Sequence, residues 1–126
     1  MTSRLATLGF TASLASVLLL VAACGGGGGG EAVSEEVAQG HKLFKQTCAT
    51  CHGPNGEGMP RLGKNLNDNQ FTKSMSDAEL VQFLKEGRPA THPDNTRGVD
   101  MPPKGGNPAI TDEDLALIVA YLRTIA

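Results

Sequence analysis

The apolar positions of this chain fall into helical stripes separated by long polar loops. The first stripe, Val37, Gly40, Leu43 and Phe44, recurs every three to four residues and predicts a helix over 35–47. Ser34 is expected as its N-cap, with Glu35 and Glu36 in the first turn, where the helix dipole favours negative charge. The second stripe is Leu80, Val81, Phe83 and Leu84. It follows Ser76-Asp77-Ala78-Glu79, a capping box in which the serine and glutamate side chains each accept an N–H from the other residue's backbone. Gly87 marks its end. The third stripe is Leu115, Ile118, Val119, Leu122 and Ile125, preceded by Thr111-Asp112-Glu113-Asp114, a similar box with an aspartate in the fourth place. No segment alternates with period two for long enough to form a strand, so the expected fold class is all-α.

A different pattern precedes these helices. Arg4 is followed by an apolar run from Leu14 to Ala23 and then by small residues, the layout of an export signal. The run is too short and wrongly flanked for a dedicated membrane-spanning helix. Val21-Ala22-Ala23-Cys24 resembles the bacterial lipobox, whose cysteine is lipidated and becomes the mature N-terminus. Gly25 to Gly30 would then be a flexible tether. The expected organisation is an export signal over 1–23, a lipidated Cys24 with a glycine-rich tether over 24–33, and a folded domain over 34–126. The chain is expected outside the cytoplasm, held by lipid on the periplasmic or outer face of a bacterial membrane. Cleavage after Ala23 without lipidation, leaving a soluble protein with a free Cys24, is the alternative.

Composition narrows the chemistry. Of 126 residues, roughly 90 remain for the folded domain. Aromatic residues make up 4% of the chain and Trp is absent, so the side chains alone would build a thin core that a flat apolar group could fill. A net charge of −2 lacks the basic face of a general nucleic-acid binder. The three cysteines are odd in number and cannot all pair.

Two of those cysteines stand in Cys48-Ala49-Thr50-Cys51-His52, a C-x-x-C-H sequence that marks covalent haem attachment. Two thiols a helical turn apart can each add to one vinyl group, and the adjacent His52 can ligate the iron. A thioredoxin-like redox pair should sit beside a βαβ pattern, which is missing. A zinc site would need a second pair of ligands, whereas His41 and His92 stand alone. A structural disulfide leaves the following histidine without a purpose. For a sixth iron ligand the candidates are Met59, Met75, Met101, His41 and His92. Met101 fits best: it precedes Pro102-Pro103, which favours an extended backbone and a stiff loop able to hold a weak thioether. Met59 and Met75 are expected to fill core gaps, and His41 to lie on the surface. His92 is the runner-up ligand.

From Val37 onward the chain resembles the class I c-type cytochromes. The likeness rests on Gly40-x-x-x-Phe44, the attachment motif with Gly53, Gly56-x-Gly58-x-Pro60-x-Leu62, Met101-Pro102-Pro103, and a terminal helix with Tyr121-Leu122. The resemblance implies a small all-α fold of about three main helices and long loops wrapped around one covalent haem c. It implies that the Pro60 carbonyl accepts the N–H of His52, that Met101 is the second axial ligand, and that Gly40 lets the first and last helices cross closely near Tyr121. It further implies a one-electron carrier, monomeric and not an enzyme, between a quinol-oxidising complex and a terminal oxidase. Arg61, Lys64, Arg88, Arg97 and Lys104 could steer an acidic partner. Two other readings stay open: a haem catalyst or gas sensor with a displaceable sixth ligand, and a tethered haem subunit of a dehydrogenase.

Overall fold

A computed structural model describes residues 29–126. The export signal, Cys24 and the first part of the glycine run lie outside the described residues. The elements are α1 (Gly29–Thr47), α2 (Ala49–His52), α3 (Gln70–Ser74), α4 (Asp77–Glu86) and α5 (Asp112–Ile125). Among the described residues there is no strand, only an isolated antiparallel bridge between Arg88 and Met101. The three expected helices are present. Two short ones join them: α2, which carries the cysteine motif, and α3, N-capped by Asn69, whose side chain accepts the Thr72 N–H at 3.2 Å.

The first helix begins earlier than its expected cap. Ser34 lies within α1, and the last two glycines of the run belong to the helix. Glu31 and Ala32 favour helix, and extending a helix already fixed by packing costs far less than nucleating one. The capped starts of α4 and α5 match the sequence. Ser76 accepts the Glu79 N–H at 3.3 Å while Glu79 accepts the Ser76 N–H at 2.7 Å. Thr111 and Asp114 exchange equivalent bonds, each at 3.1 Å. These bonds satisfy N–H groups that a helix start otherwise leaves orphaned.

The core lies where α1 and α5 cross. A Cβ on Gly40 would stand 1.9 Å from the Leu117 carbonyl oxygen and 3.1 Å from the Tyr121 Cβ, so only a glycine lets the two backbones meet there. The crossing buries Phe44 of α1 against Leu115, Ile118, Val119, Tyr121 and Leu122 of α5. Leu80 and Leu84 of α4 complete the cluster, with Ile110 from the preceding loop. Each such burial stabilises by roughly 1.5–3 kcal/mol. His41 is not the surface residue expected. It stacks on Tyr121 with ring centroids 4.4 Å apart and its Nε2 donates to the Pro54 carbonyl at 3.2 Å, so it joins α1, α5 and the loop after the motif.

Arg123 on α5 fastens the remaining elements. Its guanidinium donates to Asp77 at 2.8 Å and to the carbonyls of Thr72 and Met75 at the end of α3. Met75 is half-buried against the core, as a gap-filling residue should be, whereas Met59 is 42% exposed and fills nothing.

The crossing gives a signed prediction. Alanine is favoured over glycine inside a helix by about 1 kcal/mol, so Gly40→Ala would stabilise a free helix. Here it should instead lower stability by about 1–3 kcal/mol through overpacking. The midpoint of guanidinium unfolding of the haem-loaded protein measures it.

Candidate functional site

The cysteine motif folds as a single helical turn directly after α1. Cys48 N–H donates to the Phe44 carbonyl at 2.7 Å, and the N–H groups of Cys51 and His52 donate to the Cys48 carbonyl at 3.1 and 3.0 Å. Positions three apart on a helix share a face, so the two thiols face the same way. Both are free and half-buried. Burial, and after it the neighbouring Cys51, pushes the Cys48 thiol up to about 11. A thiol held neutral is a poor metal thiolate. Among the described residues no cluster of three or more His, Cys, Asp or Glu could hold a metal ion, so a zinc site does not fit.

His52 is fixed by a backbone carbonyl, but not the expected one. Its Nδ1 donates to the Lys64 oxygen at 2.8 Å. A carbonyl can only accept, so this nitrogen carries the proton and Nε2 keeps a free lone pair for a metal. Pro60 is exposed and makes no such bond. The reason is the turn it occupies. Leu62 N–H donates to the Met59 carbonyl at 3.1 Å, which puts Pro60 and Arg61 at the tip, with Arg61 at φ 62°. Proline second and a positive φ third are the features of a type II turn. The chain then doubles back, and Gly63 packs so tightly on Cys51 that a Cβ would stand 2.1 Å from the Cys51 carbonyl oxygen. That contact delivers the next carbonyl, that of Lys64, to the imidazole.

Cys48, Cys51 and His52 line a cavity of about 380 Å³. This size falls within the usual range of small-molecule sites, roughly 300–1,000 Å³. Phe44, Leu80, Leu84, Leu115, Ile118 and Leu122 form its apolar wall, and Met101 enters from the loop before α5. Met59, Met75, His41 and His92 do not line it. The runner-up His92 is exposed, and its Nδ1 accepts the Asp94 N–H at 3.1 Å. Two thiols, one oriented imidazole and one thioether around an apolar hollow fit a haem.

Comparison with known proteins agrees with this fit. Residues 35–122 match the family described as "Cytochrome C oxidase, cbb3-type, subunit III". The chain belongs to this family of c-type cytochromes. Membership brings covalently bound haem c and electron transport. The chain is 33% identical over 92 residues to "Cbb3-type cytochrome c oxidase subunit FixP" of Sinorhizobium medicae, covering 71% of this chain and 30% of that protein. It is 33% identical over 88 residues to the protein of the same name from Azorhizobium caulinodans, covering 69% and 26%. The match thus spans under a third of the FixP relatives. "Cytochrome c-555" of Prosthecochloris aestuarii is 32% identical over 92 residues, covering 69% of this chain and 85% of that protein. No solved structure matches.

The residues suggested for steering a partner are not equally available. The Lys104 ammonium donates to the Ile110 carbonyl at 2.7 Å, and the Arg88 guanidinium lies over the rings of Phe71 and Phe83, 4.8 and 4.9 Å from their centroids. Both are committed to structure.

The Lys64 contact predicts a contrast. Pro60→Ala should cost only about 0.4–1 kcal/mol, through the entropy of the unfolded chain, and leave the haem spectrum unchanged. Gly63→Ala should shift the reduction potential and the ferric spectrum by displacing the carbonyl that orients His52. Visible spectroscopy and redox titration of the two variants separate them.

Proposed function

We propose that this cytochrome is a one-electron carrier, monomeric and not itself a catalyst, in which Cys48 and Cys51 would attach the haem by thioether bonds and His52 and Met101 would ligate its iron. The observation that supports it is that one apolar cavity is lined at once by the two thiols, the oriented imidazole and one thioether. When bound, haem c supplies reversible one-electron exchange at its iron. The chain's own residues keep that exchange simple. The His52 Nδ1–H donates to the Lys64 carbonyl, so the ring is held in a fixed orientation with Nε2 turned to where a metal would be held. Met101, lining the same cavity, would occupy the coordination position that an exogenous ligand would need. Phe44, Leu80, Ile118 and Leu122 exclude water from the cavity wall.

The relatives named as cbb3-type oxidase subunits support delivery toward a terminal oxidase. A quinol-oxidising complex upstream is what the class I resemblance implies. Lipidation of Cys24 would confine the carrier to the periplasmic or outer face of a membrane, and a glycine-rich tether raises its effective concentration near membrane partners. Among the described residues no helix is long and apolar enough to cross a membrane.

Spectra of protein matured in a host competent for haem attachment test the ligands. The haem should survive acid-acetone extraction, and the ferric wild type should show the weak far-red iron–sulfur band. Met101→Ala should lose that band and bind CO readily when reduced. A high-spin ferric wild type that already binds CO would point to the gas-sensor or catalytic reading. Fractionation tests the anchor: the wild type should sediment with membranes and Cys24→Ala should be released in soluble form. Stable co-purification of either with a dehydrogenase would favour the subunit reading.

A further inference from the structure

Met101 lies in a segment without regular structure, between exposed neighbours Asp100 and Pro102. Something must nonetheless fix it, because a thioether is a weak ligand that a mobile loop would surrender. We propose that Gly87 and Arg88 are positioning residues for Met101, an inference that rests on reading Met101 as the axial ligand.

The backbone of Met101 is bonded on both sides to one residue. Its N–H donates to the Arg88 carbonyl at 2.8 Å, and its carbonyl accepts the Arg88 N–H at 2.7 Å. Arg88 is itself immobilised. It directly follows Gly87, the C-cap of α4, whose N–H donates to Phe83 at 2.8 Å, and its guanidinium is stacked on Phe71 and Phe83. Met101 is therefore fastened through α4 to the buried Leu80 and Leu84.

Gly87 makes this approach possible. A Cβ there would stand 2.2 Å from the Met101 carbonyl oxygen and 2.8 Å from backbone atoms of Pro102 and Pro103. These are backbone atoms, so no side chain can rotate away to make room. The residues between the bridge partners form a strap that is pinned internally. Asp100 accepts the Ala90 N–H, and the Asn95 amide donates to the carbonyls of Pro89 and Val99 at 3.1 and 2.8 Å. Pro102 stiffens the far side of the ligand, but the position of Met101 is set by the end of α4.

A second glycine gives a comparison. Gly98, within the strap, also has a positive φ, 68°, yet a Cβ there would meet nothing within 4 Å. Gly87, at φ 69° and ψ −159°, lies where only glycine is at ease, so Asp100→Ala, which adds no atom at either glycine, separates loss of anchoring from backbone strain.

The experiment uses full-length, haem-loaded protein: wild type, Met101→Ala, Gly87→Ala, Gly98→Ala and Asp100→Ala. Far-UV circular dichroism reports folding, the ferric far-red band reports sulfur ligation, and imidazole titration reports how easily the sixth ligand is displaced. Gly98→Ala should keep the band and the imidazole affinity. Gly87→Ala should lose the band, or bind imidazole at least about tenfold more tightly, the effect of losing one well-made anchoring bond. Asp100→Ala loosens the strap without adding an atom and should raise imidazole affinity severalfold with unchanged dichroism. A folded Gly87→Ala that matches Gly98→Ala in band and affinity would overturn the inference. If Gly87→Ala does not fold, Asp100→Ala decides, and a wild-type imidazole affinity there overturns it. A band that persists in Met101→Ala shows instead that the axial-ligand reading is at fault, and the inference goes with it.

Discussion

Backbone contact between α1 and α5 at Gly40 is the constraint on which the molecule is built. A helix pair held apart by ordinary side chains would leave a wider gap. Here the Leu117 carbonyl takes the place of a side chain, and Phe44, one helical turn beyond Gly40, is pressed onto α5. The Cys48 N–H is bonded to the Phe44 carbonyl, so the attachment motif inherits its position from that crossing. His41, from the same turn, stacks on Tyr121 and bonds to Pro54, which orients the loop leaving the motif. One close approach thus places two thiols, one imidazole and the start of the loop that returns to orient it.

The core and the cofactor site are the same object seen from two sides. Phe44, Leu80, Leu84, Ile110, Leu115, Ile118 and Leu122 belong both to the buried cluster and to the cavity wall. This economy suits a domain of under a hundred residues with few aromatics, whose side chains cannot fill an interior by themselves. A consequence is that packing and ligand environment are not separable here. A truncation at Ile118 or Leu122 alters stability and the dielectric around the iron together.

Much of this was legible in the residues. The stripes on α1, α4 and α5 and both capping boxes located three helices, and the C-x-x-C-H spacing placed both thiols and the imidazole on one short turn. Gly40 could be read as a crossing point through the resemblance to class I cytochromes, since a glycine on an apolar helix face does not by itself announce one. Other features left no such mark. The partner of His52 is a main-chain oxygen, which any residue possesses, so the choice between Pro60 and Lys64 depended on a turn whose path the sequence does not spell out. The start of α1 was hidden because a glycine run suppresses helix propensity while packing downstream sustains it. His41 read as a surface residue because the ring it stacks on is eighty positions away. The bridge from Arg88 to Met101 involves only backbone groups and pairs two single residues, too short a run for any periodicity to register.

That bridge closes the segment from Arg88 to Met101 into a ring whose geometry is settled at its neck. Lengthening such a ring costs little, because closure entropy grows only slowly with the number of residues enclosed. The tip, around Thr91 to Arg97, is exposed and carries both signs of charge. Thr91, Pro93 and Thr96 neither line the cavity nor pin the strap, so those positions can be rewritten to suit a different docking surface, whereas Asp94, Asn95 and Arg97 line the cavity and constrain what it holds.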